Sequence, residues 1–183
     1  MNITRCPWAN DPYSQQYHDE EWGKPCHNDR KLFELLILEG FQAGLSWVTI
    51  LKKRAAFQAA FDSFDPNLIQ NYGPEKIEAL MQNPAIIRNR LKIEATKTNA
   101  IAFLQVQREW GSFDHYIWSF THGKTMDPQW KEPAEIPTQT ALSQEISKDL
   151  KKKGFRFVGP TIIYSYLGAI GIVNDHLVNC SFH

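Results

Sequence analysis

Lys151-Lys152-Lys153-Gly154-Phe155-Arg156-Phe157-Val158-Gly159-Pro160-Thr161 decides how this chain folds. Leu142, Ile146 and Leu150 lead into it at every fourth position, the period of an amphipathic helix over about 141–153. Gly154 stands at C′, where a left-handed backbone suits glycine. Pro160 stands at N1 of a following helix that runs to about Ile170, where a missing N–H costs nothing. The stretch therefore reads as two helices joined by a tight hairpin bracketed by glycines, with basic side chains at its mouth. Backbone N–H groups at the start of the second helix form an anion site. Such a hairpin holds a DNA phosphate without reading base sequence. The other reading is an ordinary turn between helices with solubilising lysines, and the local sequence supports both.

Working outward, helix signals recur and strand signals do not. Asp11-Pro12 opens a short helix around Tyr13–Glu21. Asn28 or Asp29 caps a helix from about Arg30 to Glu39, and Ser46 caps another whose apolar face carries Leu51, Ala55, Phe57, Ala59 and Phe61. Asp65-Pro66 and Gly73-Pro74 open short helices at 66–71 and 74–82. A long amphipathic helix spans about 89–108, and Phe113–Phe120 is one more helix or a strand. The proline-rich stretch 121–140 reads as loop. No alternating run is bounded by hairpin turns, so the fold class is all-α. The organisation expected is a single unit over 1–183. Its helical core covers about 28–170, with the hairpin at 154–159, and 1–27 and 171–183 form terminal segments.

Bulk composition narrows the classes further. At 183 residues, with 43% hydrophobic residues, the chain buries a real core. Twenty basic and twenty acidic side chains cancel, so a nucleic-acid site has to come from a local patch. No run approaches the roughly 20 apolar residues of a membrane helix. The N-terminus lacks the apolar core of a signal peptide. An odd cysteine count of 3 argues against a disulfide scaffold and for the reducing cytosol.

Leu38-Glu39-Gly40-Phe41-Gln42-Ala43-Gly44-Leu45-Ser46-Trp47 joins two apolar segments. A carboxylate in such a joint is costly unless something pairs with it. Near a helix C-terminus, the macrodipole adds to that cost. Leu45, behind Gly44, is either an apolar wedge for stacked DNA or a core residue.

Cys6 and His18 near one end, with His176 and Cys180 near the other, make a good tetrahedral zinc set of two thiolates and two imidazoles. His176 and Cys180 share a face if their segment is helical. All four positions would be filled by protein, so such a zinc is structural. The alternative is two unrelated buried cysteines and two solvated histidines. Cys26-His27 is a competing pair, though adjacent residues diverge on a helix.

Arg5-Cys6-Pro7-Trp8, Tyr17-His18-Asp19-Glu20-Glu21-Trp22-Gly23, the Leu38–Trp47 joint, Gly154–Gly159 and Val173-Asn174-Asp175-His176 together resemble the bacterial 3-methyladenine DNA glycosylases of the constitutive type. The resemblance spans nearly the whole chain, in order. It implies a helix–hairpin–helix glycosylase fold with zinc-clamped termini, one structural zinc on Cys6, His18, His176 and Cys180, and hydrolytic release of 3-methyladenine from double-stranded alkylated DNA. Glu39 then becomes the acid that recognises a cationic base, between Tyr17 and Trp47, with Tyr13 as a further base contact. Leu45 and Gly44 at the joint, and Lys153, Gly154, Arg156, Gly159 and Thr161 at the hairpin, become the DNA contacts. A cytoplasmic monomer is expected. Two departures stand out. Asn174 falls where most helix–hairpin–helix glycosylases carry an aspartate, a feature this subfamily shares, and Asp175 is one residue off. Ser14 falls where the family has a second pocket tyrosine. A zinc-stapled DNA-binding module without catalysis is the competing reading; a buried acid in an aromatic pocket argues against it. A zinc hydrolase is disfavoured by the filled coordination sphere.

Overall fold

The computed structural model describes residues 2–183. Nine α-helices lie among the described residues: α1 (Pro12–Glu20), α2 (Asp29–Gln42), α3 (Trp47–Ala60), α4 (Pro66–Ile69), α5 (Pro74–Met81), α6 (Arg90–Trp110), α7 (Phe113–Ser119), α8 (Ala141–Lys152) and α9 (Pro160–Ala169). Short 3-10 turns lie at Asp62–Phe64 and Pro133–Glu135. Among the described residues there is no strand, only one isolated bridge between Met126 and Val173. Phe113–Ser119, open between helix and strand on sequence, is a helix capped by Ser112.

Side-chain caps start these helices where the sequence places them. Asp11 accepts from the Tyr13 and Ser14 amides, Asn28 from Lys31, Ser46 from Thr49 and Asn89 from Lys92. Each satisfies an amide that has no partner within its own helix. α2 is the axis of the fold. Every residue from Leu32 to Phe41 is buried, as expected of a helix apolar all round. It packs against α3, α6, α7 and α9.

One boundary differs from the sequence reading. α2 does not stop near Glu39 but runs on to Gln42. Gly40 is thus a helical residue rather than part of the joint. A Cβ there would lie 3.3 Å from the Phe157 Cβ, so glycine lets the hairpin approach the helix.

The hairpin follows the expected chemistry. Gly154 has φ +94 and follows the last turn of α8. Its amide donates to the Lys151 carbonyl at 3.1 Å, and the Phe155 amide donates to Leu150 at 3.1 Å. Phe155 and Val158 point into the core, and the Ser147 hydroxyl donates to the Val158 carbonyl at 2.6 Å. Phe157 adopts φ +55 without being glycine, which no sequence signal announced. α9 begins at Pro160 with no side-chain cap.

The terminal segments form a second apolar cluster of Cys6, Leu177 and Cys180, with Trp22, Trp130, Ile136 and Phe182 against it. The 121–140 loop straps the C-terminal segment through Met126 N to Ile172 O (2.8 Å), Asn174 N to Met126 O (2.8 Å) and Val178 N to Trp130 O (2.9 Å).

Candidate active site and metal centre

Glu39 lies in the last turn of α2 and is 4% exposed. Burial is the one influence on its titration and pushes the carboxyl up to about 8. Neither a cation nor a hydrogen-bond donor offsets it. Two more buried polar atoms nearby have no hydrogen-bond partner among the described residues, the Tyr17 hydroxyl and the Trp47 indole N–H. Tyr17 and Trp47 touch, ring centroids 5.4 Å apart at 56°. Burial first, then the charges of Glu39 and Glu21, hold the Tyr17 phenol well above its ordinary range. Unpaired buried polar groups cost about 1–3 kcal/mol each. Two of them on touching rings, with the Glu39 carboxyl near Tyr17, point to a ligand that supplies the missing partners.

The structure adds residues that the sequence did not assign to the site. Trp8 lies edge-on to Trp22 at 4.9 Å and 6.3 Å from the Tyr17 ring. The signal was the tryptophan content itself, which does not say which rings gather. Arg54 was also missed. It donates twice to Glu21, at 2.6 and 2.9 Å, and once to Glu34, at 2.7 Å, while Lys31 pairs with Glu21 at 2.6 Å. Arg54, Glu21 and Lys31 line, with Tyr17, a cavity of about 540 Å³ beside α1 and α3.

Tyr13 lines that same cavity, half exposed, with Lys52 Nζ 5.8 Å from its ring. The buried face of α1 carries Ser14, Tyr17 and His18, and Tyr13 is turned off that face. Ser14 is buried, but its hydroxyl is tied back to Asp11.

Leu45 is 40% exposed at the tip between α2 and α3, which removes the core reading. Gly44 turns the chain there at φ +82. Leu45 N donates to Gln42 O at 2.7 Å, and Gln42 Nε2 donates to Leu45 O at 2.9 Å. At the hairpin, Lys151, Lys152, Arg156 and Thr161 are exposed. Lys153 is otherwise engaged, 3.5 Å from Glu109 and over the Tyr116 ring at 5.5 Å. Its ammonium thus meets protein groups at the end of α8.

Cys6, His18, His176 and Cys180 gather, all buried, with their ligand atoms within 4.8 Å of one another. Cys180 Sγ is 3.5 Å from His18 Nε2 and 3.4 Å from His176 Nδ1, and Cys6 Sγ is 3.9 Å from His176 Nδ1. Tetrahedral bonds of about 2.3 Å to sulfur and 2.0–2.1 Å to nitrogen require sulfur–nitrogen edges of roughly 3.5 Å. The four can therefore hold a metal ion. Supports stand behind them: His18 Nδ1 lies 2.8 Å from Asp19, which Arg5 grips in turn. His176 Nε2 lies 3.1 Å from Trp22 O. Such outer partners orient imidazole ligands. The segment 174–180 is not helical. A turn closed by Cys180 N to Leu177 O at 2.8 Å aligns His176 with Cys180 instead. The competing pair separates, since Cys26 packs on the main core and His27 meets Asp114 at 2.7 Å. Asp175 is spoken for by Trp130 Nε1 and Tyr164 OH, both at 2.8 Å, and Asn174 accepts from the His176 amide.

An all-helical chain with a buried acid near two touching aromatic rings, a basic hairpin and a Cys/His centre joining its ends is built as a base-recognising protein. Comparison with known proteins is specific about which kind. The family model described as Methyladenine glycosylase matches residues 8–183, and the chain belongs to that family. It is 48% identical over 179 residues to DNA-3-methyladenine glycosylase 1 of Escherichia coli (strain K12), covering 97% of this chain and 96% of the relative. A crystal structure of 3-methyladenine DNA glycosylase I superposes with TM-score 0.95 at 48% identity, covering 98% of this chain and all of the other, 100%. The Staphylococcus aureus enzyme, solved for the structural basis of its 3-methyladenine recognition, matches with TM-score 0.94 at 38% identity over 98% of this chain and 96% of its own.

Proposed function

We propose that this chain is a base excision repair glycosylase that flips 3-methyladenine out of alkylated duplex DNA and hydrolyses its glycosidic bond. The observation that carries the reading is Glu39, a buried carboxyl with no partner beside two aromatic rings whose polar atoms are also unpaired. Adenine methylated at N3 within DNA is a cation. In a desolvated recess, a carboxylate attracts it far more strongly than in water. Neutral adenine gains nothing comparable. The exocyclic amine of adenine can donate to Glu39, whereas the O6 of guanine would face it unpaired, at about 1–3 kcal/mol. Tyr17 and Trp47 supply the faces for a flipped base, each worth roughly 1–3 kcal/mol of stacking.

The chemistry needs little help. The N–C1′ bond breaks as the cationic base leaves neutral, water oxygen bonds to C1′, and its proton passes to solvent. An abasic site remains, with no lysine intermediate. The uncapped start of α9, with Gly154, Arg156, Gly159 and Thr161, holds phosphate, and Leu45 enters the stack where the base has left. Zinc on Cys6, His18, His176 and Cys180 ties the termini together; with four protein ligands it offers no site for a reactive water. We take the chain to work as one unit, a cytoplasmic monomer.

Incubation with methylated DNA and chromatography of the released bases tests this. Release of 3-methyladenine above the spontaneous rate is expected, with Glu39→Gln losing about two orders of magnitude or more in rate. Absence of that release from the wild type refutes the enzyme reading, and full activity in Glu39→Gln refutes the role of the acid.

A further inference from the structure

α6 has no place in the chemistry above, yet one face of it holds both DNA-facing elements. Lys92, Thr96 and Asn99 lie on that face and are all buried. Lys92 Nζ donates to Phe41 O at 2.9 Å and Ala43 O at 2.7 Å. These carbonyls end α2, just before Gly44 and Leu45. A helix C-terminus leaves its last carbonyls without partners and favours a cation, and α2 has no basic residue in its own last turn. A neighbouring helix supplies one. Two turns further along, Asn99 grips the hairpin. Its Oδ1 accepts from the Arg156 amide at 2.7 Å, and its Nδ2 donates to the Arg156 carbonyl at 3.0 Å. Both polar groups of one hairpin residue are thus held by one side chain. Between the two grips the hairpin rests on α2, where Gly40 admits Phe157.

We propose that Lys92 and Asn99 are positioning residues that set the two DNA-facing elements at a constant separation along α6, Lys92 holding the Leu45 tip and Asn99 the phosphate hairpin. Seven residues of helix place the two grips about 10 Å apart along the axis. A duplex anchored on the hairpin then meets the tip at a set distance. Lys92 serves base flipping and Asn99 serves duplex affinity. This inference rests on the glycosylase reading.

The test separates the two roles. Wild type, Lys92→Met, Lys92→Arg and Asn99→Ala are compared by single-turnover and steady-state kinetics on methylated duplex. Flipping is followed by 2-aminopurine fluorescence opposite an abasic analogue, and unfolding by thermal melts. Lys92→Met is expected to lower the single-turnover rate and the flipping signal about tenfold with a small change in KM. Lys92→Arg, which keeps the cation and its donors, recovers most of that rate. Asn99→Ala is expected to raise KM about tenfold with the smaller effect on kcat. If both variants lose activity through the same parameter, or only in proportion to their loss of Tm, the inference is overturned. Should Lys92→Met not fold, Lys92→Arg against Lys92→Gln makes the same comparison, and equal rates for the two refute it. A wild type that releases no base sinks the glycosylase reading alone, because the fluorescence and duplex-binding comparisons still judge the spacing.

Discussion

Glu39 is the residue whose cost is most plainly structural. Its folded carboxyl keeps a proton up to about 8, against 4.5 as the ordinary value. Between those values the folded state binds more protons than the unfolded one, so stability falls as pH rises through the window. The contribution is fully present below 4.5 and lost above about 8, a loss of several kcal/mol at most, at about 1.4 kcal/mol per pH unit. Glu39→Gln has no such titration. Urea melts should show the variant gaining on the wild type between pH 5 and pH 8.5, and parallel curves would contradict the isolation of this carboxyl. Leu45 makes a second residue-scale prediction. Exposed at the tip, it adds little to the core, and the proposed wedge role puts its contribution in DNA binding. Leu45→Ala should weaken binding to duplex with an abasic analogue about tenfold while leaving Tm within a degree or two; unchanged affinity sinks the wedge. The acid and the wedge candidate were both legible from the Leu38–Trp47 stretch. The orientation of Tyr13 was not, because a helix that begins at Pro12 can be turned about its axis without any change in local pattern.

At the scale of elements, glycines tell local from tertiary demands. Gly154 closes α8 at φ +94 with open space around a would-be Cβ. Gly154→Ala should therefore cost only the backbone penalty, about 1–2 kcal/mol in urea melts. Gly171 at φ +77 meets the same penalty, but its Cβ would also lie 2.3 Å from the Lys24 backbone. Gly171→Ala should be far worse, about 4 kcal/mol or more, or prevent folding; equal costs for the two would refute the packing argument. The first glycine was readable as a helix stop. The second was not, since nothing local announces that residues 24 and 171 touch. The same contrast holds for α2, whose start at Asn28 was signalled by its cap while its end beyond Gly40 was set by Phe157.

Across the whole molecule, the Cys/His centre joins positions as far apart in the chain as Cys6 and Cys180. Closing so long a loop removes much entropy from the unfolded chain. Chelation or Cys180→Ser should lower Tm by at least several degrees, with kcat at 25 °C within about threefold. A Tm unmoved by chelator would remove the metal staple. The strap of 121–140 over the C-terminal segment, anchored by Trp130 on Asp175, keeps the ligand segment in place from the other side.

Sequence alone determined most of the helices, their caps, the hairpin and the suspicion that falls on an acid among apolar residues. These follow from interactions a few residues long, governed by periodicity and by the φ preferences of glycine and proline. Only the tertiary structure decided that α6 holds both the tip and the hairpin, that Arg54 binds Glu21 and Glu34, that Lys153 turns away to Glu109, and that a turn rather than a helix presents His176 and Cys180 together. Those facts depend on side chains far apart in the chain finding one another, which packing settles and no local pattern encodes.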